Sequence, residues 1–329
     1  MGQRSKLQDV ADAAGVSFIT AWRALNQPEK VREKTAEKVR VAAAEVGYVV
    51  NSVARSLVTA RSGVIGLVVP TLEDSIFSQT VEGLSDTLSK SGREMLIGIS
   101  HYDYTREEEL IRAFVGRRID ALVLTGKEHS DTTCRLLEKS ETVIVEIWDV
   151  PRHPLDLYVG FSNRALAAEA TGVLLAKGYR RIAFVTPQSR ARAVERRQGY
   201  ETAMRQAGQG DHVRVVETAP TLAGGADALD ELMADPAPPD AIFFNGDTLA
   251  VGAHLHGAAR GLRFPQDVAI MGLHDTDIAS RVTPPLSTVR IPRYEIGRLA
   301  GEKIIARLDG AEDVGSEQVA FHIVERGTT

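Results

Sequence analysis

The stretch Leu7–Asn26, LQDVADAAGVSFITAWRALN, decides the fold of the N-terminal part of this chain. Its first apolar residues follow helical spacing up to Ala11, and Gly15 then interrupts the pattern where a turn with positive φ is expected. Ser17 fits the N-cap of a second short helix that runs to about residue 25. Two short helices joined so closely predict a helix-turn-helix, whose common use is to lay its second helix in the DNA major groove. A helical hairpin that serves only for packing is the alternative.

The following stretch, Arg32–Leu57, reads REKTAEKVRVAAAEVGYVVNSVARSL. Its first part predicts a third helix from Arg32 to Val46, ended by Gly47. The last part, Asn51–Leu57, is too short to form a stable isolated helix. A flexible linker between domains is the alternative for this segment.

These motifs resemble the head of the LacI/GalR family of bacterial repressors. The family pattern is a leucine, D-V-A, A-G-V-S, two variable residues and T-V-S-R-V-L-N, and Leu7–Asn26 follows the same order. EVGY at Glu45–Tyr48 and ARSL at Ala54–Leu57 resemble the third helix and the hinge helix of that family. The resemblance continues along the whole chain and implies a DNA-binding regulator.

The family's recognition and hinge helices contact DNA, and the resemblance implies the same here. An arginine in the recognition helix suits two parallel bonds to guanine, whereas the apolar Phe18 and Ile19 can only contact thymine methyl groups or exclude bases by shape. Ser17 and Thr20 are expected to hold phosphates, with simple capping and packing as the alternative. Trp22 replaces the family's small serine, but its indole N–H can still donate to a phosphate. The predicted DNA contacts are Ser17, Phe18, Ile19, Thr20, Trp22, Arg23, Asn26, Ala54 and Leu57, the last as a minor-groove wedge.

Charge and composition agree with a DNA-binding head on an acidic body. Residues 1–61 contain ten Lys or Arg and six acids, a net charge of +4, whereas the 329-residue chain carries −5 and the remainder therefore −9. The length predicts more than one domain. A lone cysteine, Cys134, fits a reducing compartment. Without an apolar run of eighteen residues or a signal-like N-terminus, we expect a cytoplasmic protein with no membrane partner.

From Gly63 onward, short β-branched runs alternate with helical stretches, which predicts an α/β body of two doubly wound parallel sheets. This body resembles the two-lobed periplasmic-binding-protein-like effector domain of the same family. We expect a head at residues 1–61 with a hinge helix at about 51–58, and an effector-binding and dimerisation domain at residues 62–329. Lobe 1 is predicted at about 62–160 and 291–317, and lobe 2 at about 161–290 and 318–329. The predicted strands are 64–69, 94–99, 121–125, 142–147, 181–186, 213–217, 241–245 and 268–272.

Ligands of such sheets bind beyond the carboxyl ends of the strands, where several polar residues fall in this chain. By resemblance to the family, Arg196 is expected to clamp a carboxylate or vicinal hydroxyls, and Asp275 to accept hydroxyl hydrogen bonds. Each candidate has the alternative role of a cap or turn former. The predicted effector-binding residues are His101, Glu128, His129, Glu146, Asn163, Arg196, Asp247, His274 and Asp275.

Enzymatic function has no positive signal in the sequence. Dinucleotide, P-loop and G-x-S-x-G motifs are absent from the appropriate contexts. His254 and His256 are expected to be surface residues rather than metal ligands. We therefore expect no enzyme, no cofactor and no metal.

The finer resemblance is to gluconate-operon repressors, through segments such as HYDY at His101–Tyr104 and EIWD at Glu146–Asp149. The prediction is thus a homodimeric repressor of sugar or sugar-acid genes that binds a palindromic operator and is released by a gluconate-like effector. The alternatives are a corepressor-dependent regulator of the same family and a sugar-binding protein without DNA function.

Overall fold

The computed structural model describes residues 5–49, 61–72, 76–187 and 191–329. The chain forms two compact units, one extending to Gly63 and including Arg118–Asp120, the other comprising Val64–Arg117 and Ala121–Thr329. We call these units the head and the body. The predicted hinge helix lies outside the described residues, and the predicted domain and lobe limits remain predictions.

The described part of the head contains the α-helices α1 (Leu7–Ala13), α2 (Phe18–Asn26) and α3 (Glu33–Glu45). Gly15 joins the first two with a φ of +60°, as its sequence context predicts. The Ser17 hydroxyl accepts a hydrogen bond from the Thr20 backbone N–H at 3.2 Å, which caps α2. The head therefore has the predicted helix-turn-helix with a third supporting helix.

Small side chains fill the core of the head. Only two of its fully enclosed members are larger than alanine, Val10 and Val39, and Val16 packs against their cluster from the α1–α2 turn. Because alanine adds little bulk, the three helices approach one another closely while α2 keeps its other face exposed. The buried cluster comprises Val10, Ala11, Ala14, Ala21, Ala24, Ala36, Val39, Ala42 and Ala43.

The body alternates strands and helices, as expected for an α/β fold. Its strands are β1 (Val64–Val69), β2 (Glu94–Ile99), β3 (Ala121–Thr125), β4 (Val143–Ile147), β5 (Leu157–Gly160), β6 (Ile182–Pro187), β7 (Arg214–Thr218), β8 (Ala241–Phe244), β9 (Ala269–Met271), β10 (Thr288–Arg290), β11 (Glu317–Gln318) and β12 (His322–Val324). Its helices are α4 (Ser78–Lys90), α5 (Tyr104–Gly116), α6 (Asp131–Glu138), α7 (Asn163–Ala176), α8 (Ala191–Gln206), α9 (Leu222–Met233), α10 (Asp247–Ala259) and α11 (Arg293–Leu308).

Two parallel sheets organise the body. One has the strand order β11-β5-β4-β3-β1-β2, the other β7-β6-β8-β9, and every pairing within them is parallel. In each sheet the strand that comes first in the chain, β1 or β6, lies between two later strands. Each sheet is therefore doubly wound, with strands added on both sides of the first one. All eight strands predicted from the sequence are present, and the doubly wound α/β prediction is confirmed.

Four short strands were not predicted. β5 and β11 extend the six-stranded sheet, while β10 and β12 form a separate antiparallel pair. Each has only two to four residues, too few for an alternating or apolar pattern to distinguish it from a loop. They lie near the places where the sequence predicts that the chain crosses between lobes.

Two glycines allow α4 and α11 to pack together. A Cβ on Gly297 would lie 2.0 Å from the Thr80 carbonyl oxygen, and one on Gly83 would lie 2.1 Å from the Tyr294 carbonyl oxygen. Any side chain at either position would force the helices apart. These glycines thus allow α11 to pack closely against α4. No turn or Gly-rich motif marks them in the sequence.

Trp148 directly follows β4 and packs among aromatic side chains at the carboxyl end of that strand. It is fully buried and meets the rings of Phe77 and Phe161 edge-on at 5.0 and 6.0 Å between centroids. Its indole N–H donates to the Thr80 hydroxyl at 3.2 Å. The residue that follows it, Asp149, is thereby held at the end of β4.

Candidate functional site: the recognition helix and the body cleft

The exposed face of α2 carries the predicted base-reading residues. Phe18 and Ile19 are 49% and 61% exposed, unusually high for large apolar side chains in a helix, and Arg23 is exposed beside them. In a packing hairpin these side chains would be buried. An apolar pair next to a guanidinium suits the major-groove edges of thymine and guanine.

Other predicted DNA contacts are partly engaged within the head. Ser17 and Thr20 share a hydroxyl–hydroxyl hydrogen bond of 2.8 Å at the start of α2. Trp22 is half-buried, and the Asn26 amide donates to the Trp22 carbonyl oxygen at 2.9 Å. The Asn26 Oδ1 atom is buried without a hydrogen-bond partner among the described residues. The predicted contacts Ala54 and Leu57 lie outside the described residues.

The body contains a cleft of about 740 Å³ at the carboxyl ends of both parallel sheets. It is lined by Thr125–Glu128 after β3, Asp149 after β4, Asn245–Asp247 after β8 and His274 after β9, with α8 along one wall. This is the location expected for the ligand of a doubly wound fold. Of the nine predicted effector residues, four line it: Glu128, Arg196, Asp247 and His274.

Arg196 is the central cation of the cleft. Its guanidinium donates through Nε to the Asn163 Oδ1 at 2.7 Å and through Nη1 to the Asn245 Oδ1 at 2.8 Å. Burial, followed by the neighbouring Arg192, lowers the pKa of Arg196 to about 9, so it remains charged at neutral pH. Neutral amides therefore orient this buried cation, and none of the described carboxylates lies within ion-pair distance of it.

Asp149 and Arg192 form the second charged unit of the cleft. The Arg192 Nε lies 2.9 Å from an Asp149 carboxylate oxygen, and its guanidinium lies over the rings of Phe77 and Trp148 at 5.7 and 5.9 Å. Asn163 donates to the other Asp149 oxygen at 2.7 Å and so connects this pair to Arg196. Burial raises the pKa of Asp149, opposed by Arg192 and Arg196. The group of two arginines and one aspartate has a formal charge of +1.

Asp247 lines the cleft, but internal hydrogen bonds occupy its carboxylate. One oxygen accepts from the Thr288 hydroxyl at 2.7 Å, and the other from the Thr276 backbone N–H and hydroxyl at 2.6 and 2.9 Å. Burial raises its pKa to about 6 against these hydrogen bonds. Asp247 therefore connects the segments that contain Thr276 and Thr288 through hydrogen bonds. The direct ligand contact that the sequence suggested for Asp247 stays a prediction.

His274 has free hydrogen-bonding capacity in the cleft. It is buried, lies edge-on to Trp148 at 6.2 Å, and its Nε2 has no hydrogen-bond partner within the described part of the chain. Burial, together with the charges of Arg196, Arg293 and Arg192, holds the pKa of His274 well below its ordinary value. The imidazole is therefore neutral and presents no positive charge to a ligand.

Asp275 lies outside the described lining of the cleft, and its predicted ligand-binding role stays a prediction. Its two carboxylate oxygens pair with the Arg290 Nε at 2.7 Å and the Arg326 Nη2 at 2.6 Å, and it does not line the cleft. The preceding residue, His274, occupies the position at the strand end. Both residues were predicted to bind the effector, but the left-handed turn at residues 274–275 sends their side chains in different directions, and only His274 lines the cleft.

His129 and Glu146 also lie outside the cleft lining, in a buried cluster behind it. The His129 Nδ1 is 2.8 Å from a Glu107 carboxylate oxygen, and its Nε2 is 3.8 Å from one of Glu146. Burial raises the pKa of Glu146 to about 7, opposed by the Leu155 backbone N–H bond and by His129. Of this cluster, only Glu107 reaches the cleft.

The remaining predicted positions have other environments. His101 is exposed and outside the lining, and Asn163 is fully buried behind Arg196. His254 is buried, stacks on Phe264 at 5.1 Å and bonds the Pro284 carbonyl oxygen at 3.0 Å, so the expectation of a surface residue was wrong for it. His256 is half-exposed beside Asp230.

Several cleft residues were missed by sequence reasoning. Arg192 stands one helical turn before Arg196, and this spacing of two cations on one face was the available signal. Asp149 and Lys127 follow buried strands, as expected of ligand-binding positions. Lys127 pairs with Glu195 across the cleft.

Comparison with known proteins identifies the family. Residues 6–51 match the bacterial regulatory proteins of the lacI family, and residues 171–329 match the periplasmic binding protein-like domain. The chain is 37% identical to the HTH-type transcriptional regulator GntR of Pseudomonas aeruginosa, over 99% of this chain and 96% of that protein. It is 32% identical to the regulator of the same name from Escherichia coli K12, over 94% and 93% of the two chains. A LacI-family regulator from Silicibacter pomeroyi superposes with a TM-score of 0.91 at 27% identity, covering 98% of this chain and 99% of that one.

A helix-turn-helix head and a periplasmic-binding-protein-like body define the class of DNA-binding transcriptional regulators. More particularly, the chain belongs to the LacI family, which confirms the resemblance seen in its sequence. Its relatives are regulators rather than enzymes, so the expectation of a non-enzymatic protein is also confirmed. In the described ranges, none of the helices is long and apolar enough to span a membrane.

Proposed function

We propose that this regulator represses genes of sugar-acid utilisation and is released from a palindromic operator by a small aldonate such as gluconate. The observation that carries the effector class is Arg196, a buried guanidinium oriented by two amide oxygens at 2.7 and 2.8 Å rather than neutralised by a carboxylate. Burying an uncompensated charge is costly, so an entering anion that pairs with it gains affinity.

The unpaired charge of Arg196 favours an acid over a neutral sugar. Arg192 pairs with Asp149 and Lys127 with Glu195, so Arg196 is the one cation in the described lining of the cleft that has no carboxylate partner. His274 is neutral, because burial and the adjacent arginines lower its pKa well below the ordinary value. A carboxylate that binds Arg196 would therefore form a charge-assisted pair without displacing an existing carboxylate partner.

The polyol part of such a ligand has suitable partners further along the cleft. Glu128 and Tyr104, whose side chains are 3.3 Å apart, and Tyr102 line the same space. Carboxylates accept hydroxyl hydrogen bonds but repel a second carboxylate. The Glu128 carboxylate would therefore orient the ligand so that the ligand's own carboxylate faces Arg196. The finer sequence resemblance to gluconate-operon repressors supports the same choice.

Release from DNA follows from reciprocal coupling between the two sites. In our proposal the regulator is a homodimer, whose two recognition helices match the two halves of the operator. A ligand that bridges both sheets stabilises a closed cleft. If the closed state binds operator less tightly, the effector lowers operator affinity, and operator lowers effector affinity by the same factor. Tighter operator binding with effector would instead identify a corepressor.

Isothermal titration calorimetry tests the effector class. We expect gluconate to bind and glucose, which lacks the carboxylate, to bind at least about 100-fold more weakly, because an unpaired buried charge costs a few kcal/mol. Arg196→Gln should abolish this preference. Arg197→Gln is the matched control, since Arg197 is next on the same helix but 47% exposed and paired with Glu201. Equal binding of both ligands, or no effect of Arg196→Gln, would contradict the proposal.

A further inference from the structure

A strained turn presents His274 to the cleft. His274 and Asp275 have φ values of 106° and 50°, so two consecutive residues other than glycine occupy the left-handed region. Such conformations are unfavourable for residues with a side chain and persist only where the surroundings hold them. The contacts that hold this turn therefore determine where the imidazole points.

The side chain of Asp275 holds the turn together with backbone hydrogen bonds from the His274 N–H to the Val289 carbonyl oxygen at 2.8 Å and from the Asp275 N–H to the Thr288 hydroxyl at 3.3 Å. Its Oδ2 accepts from the Arg290 Nε at 2.7 Å and its Oδ1 from the Arg326 Nη2 at 2.6 Å. The Asp275 side chain is 10% exposed and that of Arg326 17%, whereas that of Arg290 is 55% exposed. Because charged hydrogen bonds are stronger when shielded from water, Arg326 contributes more of the anchoring than Arg290.

Arg326 is itself fixed in place by the C-terminal segment. Its Nη1 donates to the Leu286 carbonyl oxygen at 2.8 Å, and its backbone N–H donates to the Ser287 hydroxyl at 2.8 Å. Two residues later, the fully buried Thr328 donates to the Ile270 carbonyl oxygen at 2.7 Å. The hydrogen-bonded C-terminal segment thus places the Arg326 guanidinium beside Asp275, which lies 51 residues earlier in the sequence.

We propose that Arg326 is a positioning residue for effector recognition: by holding Asp275, it maintains the left-handed turn and keeps the His274 imidazole in the cleft. It acts through Asp275 and touches no ligand. Without it, Asp275 is released from its more buried partner, the turn relaxes toward ordinary φ values, and His274 leaves its place beside Trp148. The part of this inference that concerns ligand affinity rests on the proposed function.

Histidine NMR on the full-length protein tests the positioning directly. With 13C-labelled histidine, the His274 signal is assigned by its loss in His274→Gln. In the wild type it should not titrate between about pH 8 and 6, because burial and the charges of Arg196, Arg293 and Arg192 keep its pKa well below the ordinary value. In Arg326→Met, which keeps most of the volume but removes the charge, the His274 signal should shift and titrate in that range.

Lys177→Met is the matched control. The Lys177 ammonium pairs with Glu325 at 2.7 Å and donates to the Thr329 carbonyl oxygen at 3.0 Å, so this change loosens the same C-terminal segment without touching Asp275. It should leave the His274 signal unchanged. An equal response in both variants would show that Arg326 acts only on general stability and would overturn the proposal.

Effector binding gives an independent measurement. Gluconate affinity should fall about tenfold in Arg326→Met, the equivalent of one charge-assisted hydrogen bond, and should recover in part in Arg326→Lys. If the wild type binds no aldonate, the proposed function fails while the NMR result still decides the positioning. If Arg326→Met does not fold, Asp275→Asn replaces it, because asparagine tolerates the left-handed region but carries no charge for either arginine. A wild-type His274 signal in Asp275→Asn would then overturn the proposal.

Discussion

Glu146 offers a prediction whose magnitude follows from its burial. The carboxyl group is 1% exposed at the end of β4, next to His129, and burial raises its pKa from 4.5 to about 7. The folded protein therefore retains a proton on Glu146 at pH values where the unfolded chain has lost it. Its contribution to stability is present below about pH 4.5 and is lost as the pH rises through about 7.

The size of this contribution can be estimated from linkage. The difference between 4.5 and about 7 corresponds to about 3 kcal/mol over the full range, of which about 2 kcal/mol is lost between about pH 5.5 and about pH 8. Glu146→Gln is uncharged at every pH, and its amide oxygen can still accept the Leu155 backbone N–H that Glu146 binds at 2.8 Å. The variant should therefore lack this part of the pH dependence.

Urea unfolding at the two pH values measures the effect. The chain has two tryptophans, so a Trp22→Phe background leaves Trp148 as the only one and reports on the body alone. The change in unfolding free energy between pH 5.5 and pH 8 should differ by about 2 kcal/mol between the parent and Glu146→Gln. Glu138→Gln, which removes an exposed carboxylate from α6, is the matched control. Identical pH profiles for the parent and Glu146→Gln would refute this reasoning.

Two other changes test the packing of the body and base recognition by the head. Gly297→Ala should lower the unfolding free energy of the body by about 2 kcal/mol or more in urea titrations, because its Cβ would lie 2.0 Å from the Thr80 carbonyl oxygen. Gly116→Ala, with open space around the added Cβ, should not, and equal losses would contradict the steric argument. Arg23→Met should reduce the preference for operator over random DNA by about 1–3 kcal/mol in competition assays. Arg40→Met, on the exposed face of α3, should affect both DNAs alike, and the same result for Arg23→Met would exclude base reading.

The fold was predictable because its signals are local. Gly15 and Ser17 mark the turn and the cap of the helix-turn-helix, and the buried parallel strands are continuous apolar runs. The short strands β5 and β10–β12 were not predictable, because their pairing partners are distant in sequence and their patterns too brief. The contact between Gly297 and α4 is likewise visible only in three dimensions.

The site was predictable to the level of strand ends but not of individual side chains. Arg196 and His274 reach the cleft as expected, whereas Asp275 turns away because two arginines hold its carboxylate. One of them, Arg326, is 51 residues away in sequence, so no local sequence pattern could predict its pairing with Asp275. Asp149 lies in the EIWD segment that carried the finer resemblance, yet its role depends on Arg192 and Asn163, which only the fold brings together.

The most direct test of the central claim is a fluorescence-anisotropy titration of the protein against DNA from upstream of its own operon, with and without gluconate. We expect salt-sensitive binding that is stronger than to random DNA, release by gluconate but not by glucose, and loss of that release in Arg196→Gln with operator binding retained. Operator binding that gluconate leaves unchanged would contradict the proposed effector. Binding no stronger than to random DNA under any of these conditions would contradict the proposed operator in that region.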